Sequence, residues 1–271
     1  MKQVILITGA SSGIGKDFAK GLLQDGHTVY GAARRVEKMD DIKQLGAKVL
    51  EMDVTDDASM VKGVETIIQQ EGRIDVLINN AGFGSYGAIE DVPLEDARYQ
   101  LEVNVFGAAR LIQLVLPHMR KQHYGRIINI SSIGGKITTP LGGWYHTSKF
   151  ALEGLSDSLR NEVEQFGIDV VVIEPGGIKS EWSSITADNL MKVSGNTAYK
   201  SIAEKFNRSL TTLDDKLPEP KVITDLVRKA INAKKPKTRY SGGYMAGPAL
   251  FMRKLLSDRL FDKFLMSQLN N

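Results

Sequence analysis

The sequence predicts a single doubly wound α/β domain built on a parallel sheet. Short apolar runs of strand length alternate with helix-length amphipathic segments every roughly 20 to 30 residues. The first run, Val4 to Ile7, passes straight into a glycine-rich turn, Thr8 to Gly15, and that turn opens a helix. Polar residues with chemical potential gather where the apolar runs end, which is where sheets of this kind bind ligands. At 271 residues, 42% hydrophobic and 25% charged, the chain suits one domain spanning 1–271.

Taken in order, the glycine turn is followed by a helix over Lys16 to Gln24 and a second strand over Thr28 to Ala33. A third strand, Ala47 to Met52, ends at Asp53 and Val54, and a helix covers Asp56 to Gln70. The fourth strand, Ile74 to Ile78, stops at Asn79, Asn80, Ala81 and Gly82. Pro93 to Met119 carries one or two long helices. From Val105 onward that segment is apolar almost all round, which predicts burial by its own sheet on one side and by a second subunit of a homodimer or homotetramer on the other. Arg126 to Ile130 is the fifth strand, Trp144 to Phe166 a helix, and Asp169 to Glu174 the sixth strand, closed by Pro175 and Gly176. The stretch 181–220 loses its periodicity and is expected to be a mobile helical flap over the substrate site. A helix over Val222 to Ala233, a short strand over Thr238 to Ser241 and an extension over 242–271 complete the chain.

Composition excludes several classes. The net charge is +3, with Lys and Arg scattered among Asp and Glu and no basic stripe for nucleic acid. There is no cysteine, so thiol catalysis, disulfides and thiolate metal sites are ruled out, and the four histidines lack ligand spacing, so no metal is expected. The N-terminal apolar run is too short for a signal sequence and no segment reaches the roughly 20 apolar residues of a membrane span; a cytoplasmic protein is expected.

The chemistry centres on Ile130 to Lys149. Tyr145 and Lys149 are four apart on a predicted helix, so hydroxyl and ammonium share a face. A fixed cation favours the phenolate and brings a tyrosine toward the range of a useful proton donor. Ser132, at the end of the preceding strand, can hydrogen-bond an oxygen whose charge changes. His146, one step round the helix, is expected to face elsewhere. Gly9 to Gly13 also fits the G-x-S-x-G pattern of hydrolase nucleophile turns, but that turn follows a strand in the middle of the sheet with an oxyanion loop before it. At the second strand end, Ala33 is followed by Arg34 and Arg35 with no acid before Glu37, the arrangement that accommodates a ribose 2′-phosphate.

The ordered set Thr8-Gly9 to Gly15, Asp53, Asn79 to Gly82, Asn104, Ser132, Tyr145, Lys149 and Pro175-Gly176 resembles the short-chain dehydrogenase/reductase family over roughly residues 2 to 240. The resemblance implies a Rossmann-type fold and an NADP(H) cofactor. It implies that Gly9, Ser11, Ser12, Gly13, Ile14 and Gly15 hold the pyrophosphate side, Arg34 and Arg35 the 2′-phosphate, and Asp53 and Val54 the adenine. Asn80, Ala81 and Gly82 would flank the ribose, Ile178 and Ser180 would approach the carboxamide, and Pro175 and Gly176 would belong to the cofactor site. It implies hydride transfer to or from a carbonyl or alcohol carbon, with Tyr145 exchanging the proton, Ser132 steadying the oxygen and Lys149 lowering the tyrosine pKa while holding the nicotinamide ribose. Asn104 would anchor a water linking Lys149 to solvent. Alternatives of other classes are a non-catalytic NADPH sensor and a fold-sharing isomerase or dehydratase.

Phe83, Tyr86, Leu141, Trp144, Trp182, Leu190, Met191 and Tyr199 are candidates for an apolar pocket suited to a hydrophobic ketone, aldehyde, steroid or retinoid. Pro248 to Leu269 reads as one amphipathic helix. It could close over the pocket, pack on a partner subunit or lie on an anionic membrane surface, and docking onto its own or a neighbouring subunit is favoured over the membrane.

Overall fold

The computed structural model describes residues 2–212 and 216–270, with side chains up to 267. Seven strands, β1 (Val4–Thr8), β2 (Thr28–Ala33), β3 (Lys48–Glu51), β4 (Val76–Asn79), β5 (Gly125–Ile130), β6 (Ile168–Pro175) and β7 (Arg239–Gly242), form one sheet in the order β3-β2-β1-β4-β5-β6-β7. Every neighbouring pair is parallel. Residues of β1, β4 and β5 are buried on both faces, which is why these strands read as continuous apolar runs rather than alternating ones. The winding direction reverses between β1 and β4, opening a crevice at their C-terminal ends.

Helices cover both faces. On one side α1 (Gly13–Gln24), α2 (Asp40–Gln44) and α9 (Lys221–Asn232) pack Phe18, Leu22, Ile42, Ile223 and Val227 against the sheet. On the other, α3 (Asp57–Glu71), α5 (Gly107–Gln122) and α6 (Gly143–Val163) supply Met60, Val64, Ile67, Leu111, Val115 and Leu159. The buried Arg126 of β5 ties the layers together by donating to the carbonyls of Ala230, Ile231 and Ala233, the otherwise open C-terminal end of α9.

Several boundaries differ from the sequence reading. Helix α1 starts at Gly13, inside the glycine turn, so its first turn belongs to the ligand-facing loop. Residues Val36–Gln44, which carry no strong periodicity, form a 3₁₀ turn and α2. The Pro93 to Met119 segment is α4 (Leu94–Leu101), a π-helical turn (Glu102–Phe106) and α5. Burial on both sides is not found within the chain: Phe106 is 58% exposed and one face of α5 is open. The 181–220 stretch contains two helices, α7 (Trp182–Ser194) and α8 (Lys200–Thr212), packed on each other.

The expected single terminal helix is two. Helix α10 (Ala246–Leu255) ends at Leu256, whose extended backbone (φ −90°, ψ 144°) breaks the run before α11 (Asp258–Asn270). The break allows both helices to fold back, so that Ala249 and Phe261 are buried with Ile137 and packed by Met252, Leu256, Phe264 and Leu265. Docking on the chain's own domain is therefore what part of this apolar face does, while Phe251, Leu255 and Leu260 stay exposed and Leu269 lies outside the described side chains. Among the described residues no helix is long and apolar enough to cross a membrane.

Candidate active site

The glycine turn is a backbone cradle. Gly9 and Gly13 have positive φ (66° and 54°), and a Cβ on Gly9 would come within 2.9 Å of Ala81 Cα. A Cβ on Gly15 would meet the Gly9 carbonyl at 2.5 Å. Ser12 precedes α1 without capping it through its side chain, so amides of the first turn face the crevice, the arrangement that receives an anion. Thr8 Oγ1 accepts from the Asn80 and Ala81 amides, both at 3.0 Å, and Asn80 Nδ2 donates to Thr8 O at 2.9 Å. Thr8 thus clamps the end of β4 to the end of β1.

One cavity of about 1040 Å³ runs from this cradle to the terminal helices. It is lined by all the residues expected to meet a cofactor: Gly9, Ser11, Ser12, Gly13, Ile14, Gly15, Arg34, Arg35, Asp53, Val54, Asn80, Ala81, Gly82, Pro175, Gly176, Ile178 and Ser180, with Ser132, Tyr145 and Lys149. Arg34 and Arg35 are exposed at one end, and Arg34 Nη1 donates to the Tyr99 hydroxyl at 2.9 Å, a contact that orients the guanidinium toward the cavity. Asp53 Oδ1 accepts from the Thr55 amide and hydroxyl at 2.9 and 2.8 Å, which shapes the turn after β3. These features fit a dinucleotide with its phosphate groups at the glycine turn.

At the centre, Ser132 Oγ accepts from the Gly134 amide at 2.9 Å and donates to Pro175 O at 3.4 Å. Lys149 Nζ donates to Ile130 O at 2.9 Å and stands 5.9 Å from the Tyr145 ring centre. Asn104, buried in the π-helical turn, does not line the cavity. Its side chain joins Phe83, through Oδ1 and Nδ2, to Ser148 Oγ, with contacts of 3.1, 2.9 and 2.9 Å. A methyl on Gly82 would lie 3.1 Å from Asn104 Oδ1 and 3.7 Å from Lys149 Nζ, so the three groups crowd one point.

Burial dominates the electrostatics. It raises the Tyr145 pKa above its ordinary value, opposed by the Ser132 hydrogen bond. The expected lowering by Lys149 is not found in the protein alone: desolvation is the largest influence on the Tyr145 hydroxyl, and the Lys149 ammonium is engaged with Ile130 O. Lys149 is pulled down to about 8 by burial, with Glu153 opposing. Beneath it lies a buried carboxylate pair, Glu153 and Glu174, met by Lys136 (2.9 Å to Glu153) and Arg239 (2.8 Å to Glu153, 3.4 Å to Glu174). Burial, and then Glu153, push Glu174 up to about 7.

His146 does not turn away as the sequence suggested; it is buried and lines the cavity, but both ring nitrogens are committed. Nδ1–H donates to Gly134 O at 2.9 Å, and Nε2 accepts from the Thr139 amide at 3.0 Å. It is a neutral brace for the 134–139 loop, its pKa lowered by burial. Of the proposed pocket residues, Phe83, Tyr86 and Trp182 line the cavity. Leu141, Leu190, Met191 and Tyr199 pack behind it, and Trp144 is outside its wall. Tyr86, Tyr145 and Trp182 form a triangle of rings with centres 5.6 to 5.7 Å apart. Sequence reasoning named Thr8 only as a motif residue and missed Tyr99 and Ser148, whose roles come from partners distant in sequence; it expected the flap and the terminal helix near the pocket but did not single out Phe206 and Leu210 of the flap among the residues that line it, beside Phe261, Phe264 and Leu265.

The fold and the Ser132, Tyr145, Lys149 arrangement define a nicotinamide-dependent oxidoreductase of the dinucleotide-binding α/β type. The chain belongs to the short-chain dehydrogenase family, whose model matches residues 3–190. It is 39% identical over 244 residues to the 3-ketodihydrosphingosine reductase of Bacteroides thetaiotaomicron, covering 89% of this chain and 88% of the relative. It is 35% identical over 285 residues to the NADPH-dependent 3-dehydrocapnine reductase of Ornithobacterium rhinotracheale, covering 97% and 96%. A solved short-chain dehydrogenase from Streptomyces avermitilis superimposes with a TM-score of 0.80 at 34% identity, covering 92% of this chain and 91% of that one.

Proposed function

We propose that the protein is an NADP(H)-dependent reductase of a carbonyl group borne on a long apolar compound. The observation that carries this reading is that Tyr145 lines one cavity together with the glycine-turn residues and with the apolar side chains of Tyr86, Trp182, Phe206, Phe261 and Phe264, which form its apolar arm. The exposed arginine pair favours a 2′-phosphate over a free hydroxyl. Two relatives are named for the reduction of a 3-keto or 3-dehydro compound, one of them as NADPH-dependent, which supports the same direction and cofactor.

When bound, the nicotinamide supplies the hydride that reaches the carbonyl carbon. The chain handles the proton. Tyr145, kept protonated by burial, donates its phenolic hydrogen to the carbonyl oxygen as negative charge builds there, giving the alcohol. Ser132, which lines the same cavity as Tyr145, supplies a second polar contact to that oxygen. Lys149, cationic below its pKa, steadies the phenolate left behind. Asn104 acts from behind the wall, holding Phe83 and the start of α6 in register.

The test is oxidation of NADPH and of NADH in the presence of ketones of increasing chain length. Turnover that rises with chain length and prefers NADPH is expected. Tyr145→Phe should keep the fold and NADPH affinity while lowering kcat by about 10²- to 10⁴-fold. Near-normal turnover in that variant, or no dependence on chain length, would overturn the reading.

A further inference from the structure

Helices α10 and α11 have two apolar sides. The inner side, with Ala249, Phe261, Phe264 and Leu265, walls the cavity. The outer side remains open after docking: Phe251 is 65% exposed, Leu255 68% and Leu260 53%. Four residues apart on α10, Phe251 and Leu255 share one helix face, and Lys254 lies between them on it. Leu260 and Lys263 repeat the pairing on α11 at a spacing of three.

From this we infer that the outer face of α10 and α11 docks on an anionic lipid surface, placing the apolar arm of the cavity against the bilayer from which substrate enters. The inference rests on the reading of that arm as the site of a long apolar compound. The charges choose the occupant. Arg253 is neutralised by Asp258 at 2.7 Å, whereas Lys254, Arg259 and Lys263 are exposed and make no ion pair among the described residues, against a single such acid, Asp262. A second copy of the chain docked through this face would bring like charges together in a desolvated patch. Lipid phosphates would instead neutralise them, with the lysine stems lying along the apolar side chains and their ammonium groups at the headgroups.

The test is sedimentation of the full chain with vesicles of pure phosphatidylcholine and of phosphatidylcholine mixed with phosphatidylglycerol. The protein should pellet with the mixed vesicles and stay largely in solution with the neutral ones. Phe251→Ser combined with Leu255→Ser should abolish pelleting, and Lys254→Glu combined with Lys263→Glu should weaken it about tenfold or more. Both double variants should keep the melting temperature and NADPH affinity of the parent, since none of the four side chains lines the cavity. A parent protein that stays in solution with both kinds of vesicle overturns the inference, as does undiminished pelleting of the serine variant. A parent that is dimeric by sedimentation equilibrium, and monomeric as the serine variant, overturns it in favour of a second copy. Vesicle binding needs no turnover, so its failure and the failure of the reductase reading are separate results.

Discussion

Lys149 and Glu153 lie one turn apart on α6, both withdrawn from solvent, and the Glu153 carboxylate opposes the desolvation that pulls the Lys149 ammonium down to about 8. Tyr145, the proposed proton donor, therefore has a cation beside it whose charge is lost within the reach of an ordinary pH titration.

Carbonyl reduction should follow that charge. Below about pH 8 Lys149 is cationic and can stabilise the Tyr145 phenolate; above it the ammonium loses its proton, while Tyr145, raised by burial, still holds its own. The value of kcat/KM for reduction is expected to be flat near neutrality and to fall as pH rises through about 8. Lys149→Met should remove that limb and lower the plateau. A profile that stays level to pH 10 would count against the assignment.

Arg34 is the residue expected to carry cofactor preference. A charge-assisted contact to phosphate is worth about 1.5–3 kcal/mol, so Arg34→Ala should weaken NADPH by about tenfold or more and leave NADH within about twofold. Tyr99→Phe, which removes the hydroxyl that receives Arg34 Nη1, should act in the same direction with a smaller effect. Fluorescence titration with both cofactors measures it, and equal losses for the two would remove the phosphate role.

Glu174 predicts a pH dependence of stability. Its folded pKa, about 7, is above the ordinary 4.5, so the native state holds a proton that the unfolded chain releases. The stabilisation tied to that proton is fully present below about pH 4.5 and is lost as pH rises through about 7. Glu174→Gln should therefore gain on the parent in melting temperature between pH 5 and 8. A gap that is constant over that range would show that Glu174 is not the titrating group.

Phe261 joins the terminal helices to the domain and faces the cavity. Its truncation to Ala should destabilise the protein by roughly 3 kcal/mol or less, the lower end for a large buried aromatic, because the cluster around it is small. Thermal unfolding and substrate kinetics together report it: KM for a long-chain ketone should rise while NADPH affinity is unchanged.

Much of this was legible beforehand because it is local. Strand runs such as Val4–Thr8, the glycine turn, and the four-residue spacing of Tyr145 and Lys149 are written in consecutive residues, and periodicity and turn chemistry suffice to read them. Motif order carried the family, and every residue expected around the cofactor does line one cavity.

The tertiary structure decided what depends on partners far apart in sequence. Only the packed fold shows that burial raises Tyr145 despite Lys149, because desolvation is a property of the assembled environment rather than of a spacing. Only the fold shows that His146 is spent on Gly134 and Thr139, and that Thr8 clamps Asn80 and Ala81 across more than 70 residues. The terminal segment makes the same point. Its sequence determined an amphipathic helix with basic gaps. The extended backbone at Leu256, which folds that helix in two so that one apolar side walls the cavity and the other stays open, arises from docking against Ile133 and Ile137, contacts that no helical pattern contains.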